Sequence, residues 1–167
     1  MRRAVLALLL AAPAAAADAA IFVVRHAERV SAKDDASLLS AKGKRRASEQ
    51  RRVLSGVELK AVYCTEYERT RQTATPAAES RGLKPTIVGS EKGRELAEAL
   101  RARPAEEDVL VVGHTDTIAD LLKTLGVEKP VSIASDEYDN LFIVTLRDGQ
   151  APGFHRLRFG GQAASPK

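Results

Sequence analysis

Three short stretches carry the residues able to do chemistry: Arg25-His26-Ala27-Glu28, Thr65-Glu66-Tyr67-Glu68-Arg69-Thr70 and Gly113-His114-Thr115-Asp116-Thr117. Two of the chain's three His and two of its Arg lie in them. Those residue types suit phosphoryl transfer. A guanidinium presents forked donors that match phosphate oxygens. A neutral imidazole is a competent nucleophile toward phosphorus, and neighbouring Arg charges oppose its protonation. A second imidazole can stabilise charge on the transferring oxygens. Helix amino termini after Glu66 and after His114 would add N–H donors and a favourable dipole.

Each stretch follows an apolar run that reads as a strand. Ile21-Phe22-Val23-Val24 is apolar throughout, as a strand buried on both faces would be. Ala61-Val62-Tyr63-Cys64 and Val109 to Val112 precede the second and third stretches. Further strands are expected at Thr86-Ile87-Val88, Leu141 to Leu146 and Phe154 to Phe159, the last at an edge. Between them lie helical patterns. Ser40 to Ser55 reads as a mostly solvated helix with a thin apolar stripe of Ala47 and Leu54, capped at Gly56. A second helix begins near Glu66 and stops at Gly82. Pro76 is expected to interrupt it and start a new helix, with Thr75 as N-cap. Leu96, Ala99 and Leu100 mark a helix ending near Pro104. Ile118, Leu121, Leu122 and Leu125 fall at i, i+3, i+4 and i+7, closed by Gly126. Alternating strands and helices predict a three-layer α/β/α sandwich with a mostly parallel central sheet. Such sheets bind ligands at the carboxyl ends of their strands, which is where the three stretches fall.

The chain has 167 residues and a formal net charge of +4. Its start has the layout of a secretory leader: Arg2 and Arg3, a short apolar run from Ala4 to Ala12, Pro13, then small residues. Residues 1–17 are read as a signal peptide cleaved before Asp18, residues 18–160 as one domain and residues 161–167 as a flexible tail. Removing the leader takes two Arg and no acid and lowers the charge to +2. The mature protein is expected outside the cytoplasm, in the periplasm of a Gram-negative cell and secreted otherwise. The apolar run is too short to span a bilayer, which needs about 20 residues, so no integral membrane segment is expected after cleavage. One Cys excludes an intrachain disulfide framework; Cys64 reads as a small buried residue. Three Tyr, four Phe and no Trp give little stacking surface, against a single-stranded nucleic-acid partner. Lys42, Lys44, Arg45, Arg46, Arg51 and Arg52 read as a solvated basic face, and His155 as an edge-strand residue.

In family order, the motifs resemble those of the histidine phosphatase superfamily, the phosphoglycerate mutase-like proteins. R-H-[AG]-E matches Arg25-His26-Ala27-Glu28, and L-[ST]-x-x-G matches Leu39-Ser40-Ala41-Lys42-Gly43. R-T-x-Q-T-A matches Arg69-Thr70-Arg71-Gln72-Thr73-Ala74, and V-x-G-H matches Val111-Val112-Gly113-His114, with Thr117 trailing. Tyr138-Asp139-Asn140-Leu141 is similar to the segment before the last core strand in small exported members. The resemblance implies a phosphoglycerate mutase-like fold and a two-step phosphatase mechanism. His26 would become phosphohistidine, and water would then release phosphate. Arg25, Arg69 and His114 would complete the phosphate pocket, and no metal or organic cofactor is implied.

Glu28 either orients a group beside the pocket or forms a salt bridge with an Arg. By the same resemblance the general acid is expected at Glu91, in the loop after the third strand, with Glu95 one turn on; Asp116 is the other candidate and a second possible substrate contact. With neither acting, leaving groups that need no proton would be favoured, such as acyl phosphates or phosphohistidine. A non-catalytic phosphate-binding module on the same fold is the competing reading. The partner would be a phosphorylated small molecule or envelope component. The short chain predicts short loops and an open site.

Overall fold

A computed structural model describes residues 19–104, 106–147 and 149–160. The leader expected at 1–17, its cleavage point before Asp18 and the tail at 161–167 lie outside the described residues. The chain runs β1 (Ala20–Arg25), α1 (Ala41–Val53), β2 (Ala61–Cys64), α2 (Glu68–Glu79), β3 (Thr86–Ile87), α3 (Gly93–Arg101), β4 (Val109–Gly113), α4 (Thr115–Thr124), β5 (Asn140–Thr145) and β6 (Gly153–Arg158). The strands form one sheet in the order β3-β2-β4-β1-β5-β6. The four at the β3 side are parallel to one another. β5 and β6 are antiparallel additions.

Alternation along the central strands divides the core between the two faces, because successive side chains point to opposite sides. Ile21, Val23, Val109, Val111, Phe142 and Val144 pack with Ala97 and Leu100 of α3 and Ile118, Leu121 and Leu122 of α4. Phe22, Val24, Leu110, Val112 and Leu141 pack on the other face with Ala74, Ala77 and Ala78 of α2 and with Leu54 beyond α1. Both faces are covered, so β1 and β4 must be apolar throughout, as their sequences are.

The helices depart from expectation in three places. Pro76 lies inside α2 and starts no new helix. Thr75 is no N-cap; its Oγ1 donates back to the Arg71 carbonyl at 2.8 Å. Ala74, Ala77 and Ala78 on both sides of the proline are fully buried, so packing on the sheet overrides the local break. α1 is mostly solvated, as its thin apolar stripe suggested, but its narrow buried face holds Gly43, Arg46 and Gln50 beside Ala47, so Arg46 leaves the solvated basic face expected of it. It ends at Leu54, and Gly56 does not have the positive φ of a left-handed cap; Gly82 and Gly126 do. On α3 the inward residue is Ala97, not Ala99, beside Leu100. Cys64 is free and buried, and burial pushes its thiol up to about 11. No helix among the described residues is long and apolar enough to cross a membrane.

Candidate active site

The parallel register of β1 and β4 pairs Arg25 with Gly113. Their next residues, His26 and His114, therefore emerge side by side at the carboxyl end of the sheet. The His26 N–H donates to the Gly113 carbonyl at 2.9 Å, and the two rings stand 5.3 Å apart. β2 is the next parallel neighbour of β4, so Thr65 and the first turn of α2, with Arg69, reach the same end. β5 runs the other way, and the segment before it, with Tyr138, arrives there too. The Tyr138 ring lies 6.0 Å from His26 and carries the Arg25 guanidinium 4.3 Å over its face.

His26 is 3 % exposed. Its Nδ1 lies 2.8 Å from the Ala27 carbonyl. A carbonyl oxygen only accepts, so Nδ1 carries the proton and Nε2 keeps its lone pair. Burial holds the imidazole down at about 3, and the charges of Arg25, His114 and Arg69 push the same way; the Ala27 carbonyl acts against them. His114 is lowered to about 4, by burial and then by Arg69. Both rings are neutral at neutral pH. His114 Nε2 and Thr65 Oγ1 share a hydrogen bond at 2.8 Å. The His114 N–H donates to Thr117 Oγ1 at 2.8 Å, which opens α4 at the site. Gly113 permits this approach: a Cβ there would lie 2.8 Å from Thr117 Oγ1.

The residues of α2 each hold part of the pocket. Arg69 stacks 4.3 Å from the Tyr67 ring and donates from Nη1 to the Asp35 carbonyl at 2.6 Å. Thr70 bonds Thr65 at 2.9 Å. Thr73 Oγ1 accepts the Ala27 N–H at 3.0 Å, directly after His26. Gln72 Oε1 accepts the Leu39 N–H at 2.9 Å. Arg25 and Arg69 both lie below the usual guanidinium pKa, chiefly through burial, with Arg29 a further cause for each. Among the described residues, the buried Nε atoms of both Arg25 and Arg69 have no hydrogen-bond partner. Two converging cations with unmet donors, beside two neutral imidazoles, form a site that an oxyanion would complete.

The remaining expected residues sit elsewhere. Glu28 takes the salt-bridge alternative. Arg46 Nε and Nη2 reach its two oxygens at 2.8 and 2.7 Å, and Lys42 stands 3.4 Å away. These cations hold its carboxyl below the ordinary range although burial pushes upward. Glu91 is exposed and folds over Gly89, with no hydrogen bond or ion pair to His26, His114, Arg25 or Arg69. Glu95 pairs with Lys92 at 3.8 Å on the exposed side of α3. Asp116 accepts the Thr117 N–H at 2.9 Å and acts on His114 only as a neighbouring charge. Glu66 also acts on His114 and Arg69, yet both of its oxygens are taken by Ser90, at 2.8 and 2.9 Å. Reading motifs alone missed Arg29, Asp35, Thr65 and the stacking role of Tyr138. His26 is buried with the rings of His114 and Tyr138 against it.

Residues 21–91 match the sequence model of the histidine phosphatase superfamily (branch 1). The match covers 71 of the 167 residues, and over them the chain resembles that superfamily. The fold extends the likeness beyond the matched residues to His114 and the later strands. The chain is similar to the protein histidine phosphatase SixA, solved with tungstate (TM-score 0.70, 19% identity, 83% of this chain and 96% of that one). It is similar to the alpha-ribazole phosphatase from Shigella flexneri (TM-score 0.63, 17% identity, 83% and 96%). A mycobacterial glucosyl-3-phosphoglycerate phosphatase also shares the fold (TM-score 0.65, 13% identity, 87% and 100%). A search of curated proteins found no sequence match.

Proposed function

We propose that this chain is a member of the histidine phosphatase superfamily, an exported phosphatase that hydrolyses phosphomonoesters through a phosphohistidine on His26. The observation that carries the reading is the pair of partnerless guanidinium Nε atoms, on Arg25 and Arg69, beside two neutral imidazoles. Arg25 and Arg69 bind the phosphoryl oxygens, and His114, fixed by Thr65, stabilises charge on them. The His26 Nε2 lone pair attacks phosphorus while the Nδ1 proton is shared with Ala27. The P–N bond forms as the bond to the leaving oxygen breaks. Water then adds to phosphorus, the P–N bond breaks, inorganic phosphate leaves and His26 regains its lone pair. The positive charge comes from the guanidinium groups and the imidazoles act neutral, so activity should survive a chelator.

A second reading is favoured by the positions of the acids. Glu91 has no contact with the pocket, and the oxygens of Glu66 and one of Asp116 are engaged by N–H and O–H groups. A leaving group that requires no proton, as in an acyl phosphate or phosphohistidine, suits that arrangement. The similar SixA is a protein histidine phosphatase. The deciding experiment compares p-nitrophenyl phosphate, an alkyl phosphate and a phosphohistidine peptide, with His26→Ala as control. Phosphomonoester turnover with acid-labile phosphate trapped on His26 supports the first reading. Turnover of the phosphohistidine peptide alone supports the second, and binding without turnover by either protein leaves a phosphate-binding module. Export through the leader at 1–17 is tested by sequencing the amino terminus of the protein recovered from the cell envelope or medium; a terminus at Met1 refutes it.

A further inference from the structure

We infer that Glu137 is a positioning residue: gripped by Arg156 and Arg158 of the edge strand, it closes the turn whose carbonyls aim Arg25 at the anion. The inference rests on the proposed role of Arg25 as a phosphate ligand. A long arginine at a strand end has many rotamers, and fixing it before substrate arrives removes an ordering cost from binding. Here Nη1 of Arg25 donates to the carbonyls of Ala134, Ser135 and Glu137, each at 3.0 Å. Three carbonyls converge on one nitrogen because residues 134 to 137 form a turn, in which the Glu137 N–H donates to the Ala134 carbonyl at 3.0 Å.

The Glu137 side chain closes that turn from the other direction: Oε2 accepts the Ala134 N–H at 3.0 Å. Its carboxylate is then held from outside. Arg156 Nη2 lies 3.1 Å from Oε2, and Arg158 Nη2 bonds Oε1. Arg156 and Arg158 are two residues apart on β6 and so project to the same face. Arg158 also bonds Asp139 at 2.6 Å, and Arg156 bonds Asn140 at 2.8 Å, so the grip is anchored to the start of β5. The Ala134 N–H and then Arg158 hold the Glu137 carboxyl down at about 2, so it stays ionised at any working pH. Within a guanidinium, Nη1 lies on the side of Cδ, and the Nε–H points to the opposite edge. Binding Nη1 to the turn therefore leaves the free edge, with the partnerless Nε, for a phosphate.

The test is a double-mutant cycle read by the affinity for inorganic phosphate and by the separate KM and kcat of whichever substrate turns over. Glu137→Ala should weaken phosphate binding about tenfold, with the loss in KM rather than kcat. In an Arg25→Ala background the same change should have less than about a twofold effect, since there is no side chain left to aim. Arg158→Met, on the exposed edge strand, loosens the grip without touching the turn and should give a smaller loss of the same kind, while Glu137→Asp should restore part of the affinity. Equal losses in both backgrounds would mean a merely structural role and overturn the inference, as would unchanged binding in Glu137→Ala. If Arg25→Ala itself leaves phosphate affinity unchanged, the phosphate-pocket reading fails, and this inference with it.

Discussion

Acidification exposes the electrostatic design of the pocket. An ordinary imidazole, with a pKa of about 6.5, is ~97% protonated at pH 5. His26, lowered to about 3, stays almost wholly neutral at that pH. Its folded pKa lies below its unfolded one, so the unfolded chain takes up a proton that the native protein refuses. The contribution to stability is zero above about pH 7, grows unfavourable as pH falls through 6.5, and levels off only below about 3. From pH 7 to pH 5 it amounts to about 2 kcal/mol through this residue. The ring is 3 % exposed, so solvent screening removes little of this. Urea denaturation at the two pH values should show wild type losing about 2 kcal/mol more than His26→Ala, with each protein's pH 7 value as its own baseline. In parallel, the His26 ring signals should stay constant from pH 7 to pH 5 in an NMR titration. Parallel pH dependences of wild type and variant, or a His26 ring that titrates near 6.5, would refute the argument that burial and the neighbouring Arg25 and Arg69 cations keep the ring neutral.

Four variants probe the parts that hold the pocket. Gly43→Ala puts a Cβ 2.1 Å from the Glu28 carbonyl oxygen, a backbone atom that cannot swing aside; thermal and urea unfolding should register a loss of about 3 kcal/mol. Arg46→Ala strands the buried Glu28 carboxylate and should cost about 3–5 kcal/mol, while Glu28→Met with Arg46→Met together should fall within about 1 kcal/mol of wild type and retain turnover. If the double variant folds but binds no phosphate, Glu28 does more than pair. Thr65→Val removes the partner of His114 Nε2 and should lower kcat/KM about tenfold, read by single-turnover formation of the phosphoenzyme.

The central strands and the ligand-facing motifs were legible in the sequence because both obey local rules. Apolar runs such as Val109–Val112 announce strands covered on both faces, and the polar residues that follow them lie at the binding end of such a sheet. α1 is mostly solvated as expected, but the polar residues on its buried face, Arg46 and Gln50, escaped the same reasoning. Arg46 is buried by virtue of Glu28, far away in sequence, and no periodicity of apolar residues reveals that. Pro76 misled for the opposite reason: its local signal is strong, but the alanines around it pack on the sheet. The turn at 134–137 has no side-chain signature, since what it offers Arg25 is backbone carbonyls. Glu91 illustrates the remaining gap. The family resemblance placed it in a suitable loop, and only the fold decides which way a loop's carboxylate turns.

The central position of β1 has a kinetic consequence. His26, the proposed nucleophile, leaves the ribosome early, yet β1 finds its first partner in β4; the Ala20–Asp108 bond beside that pairing spans 88 residues. Arg25 waits longer still, since its bond to Glu137 spans 112. Contacts this distant in sequence form late and slow the search for the native state. A nascent or truncated chain would carry His26 and Arg25 before the turn that holds Arg25 exists. Appearance of phosphate-binding competence during refolding would therefore report the docking of the last strands, and so the completion of the whole domain.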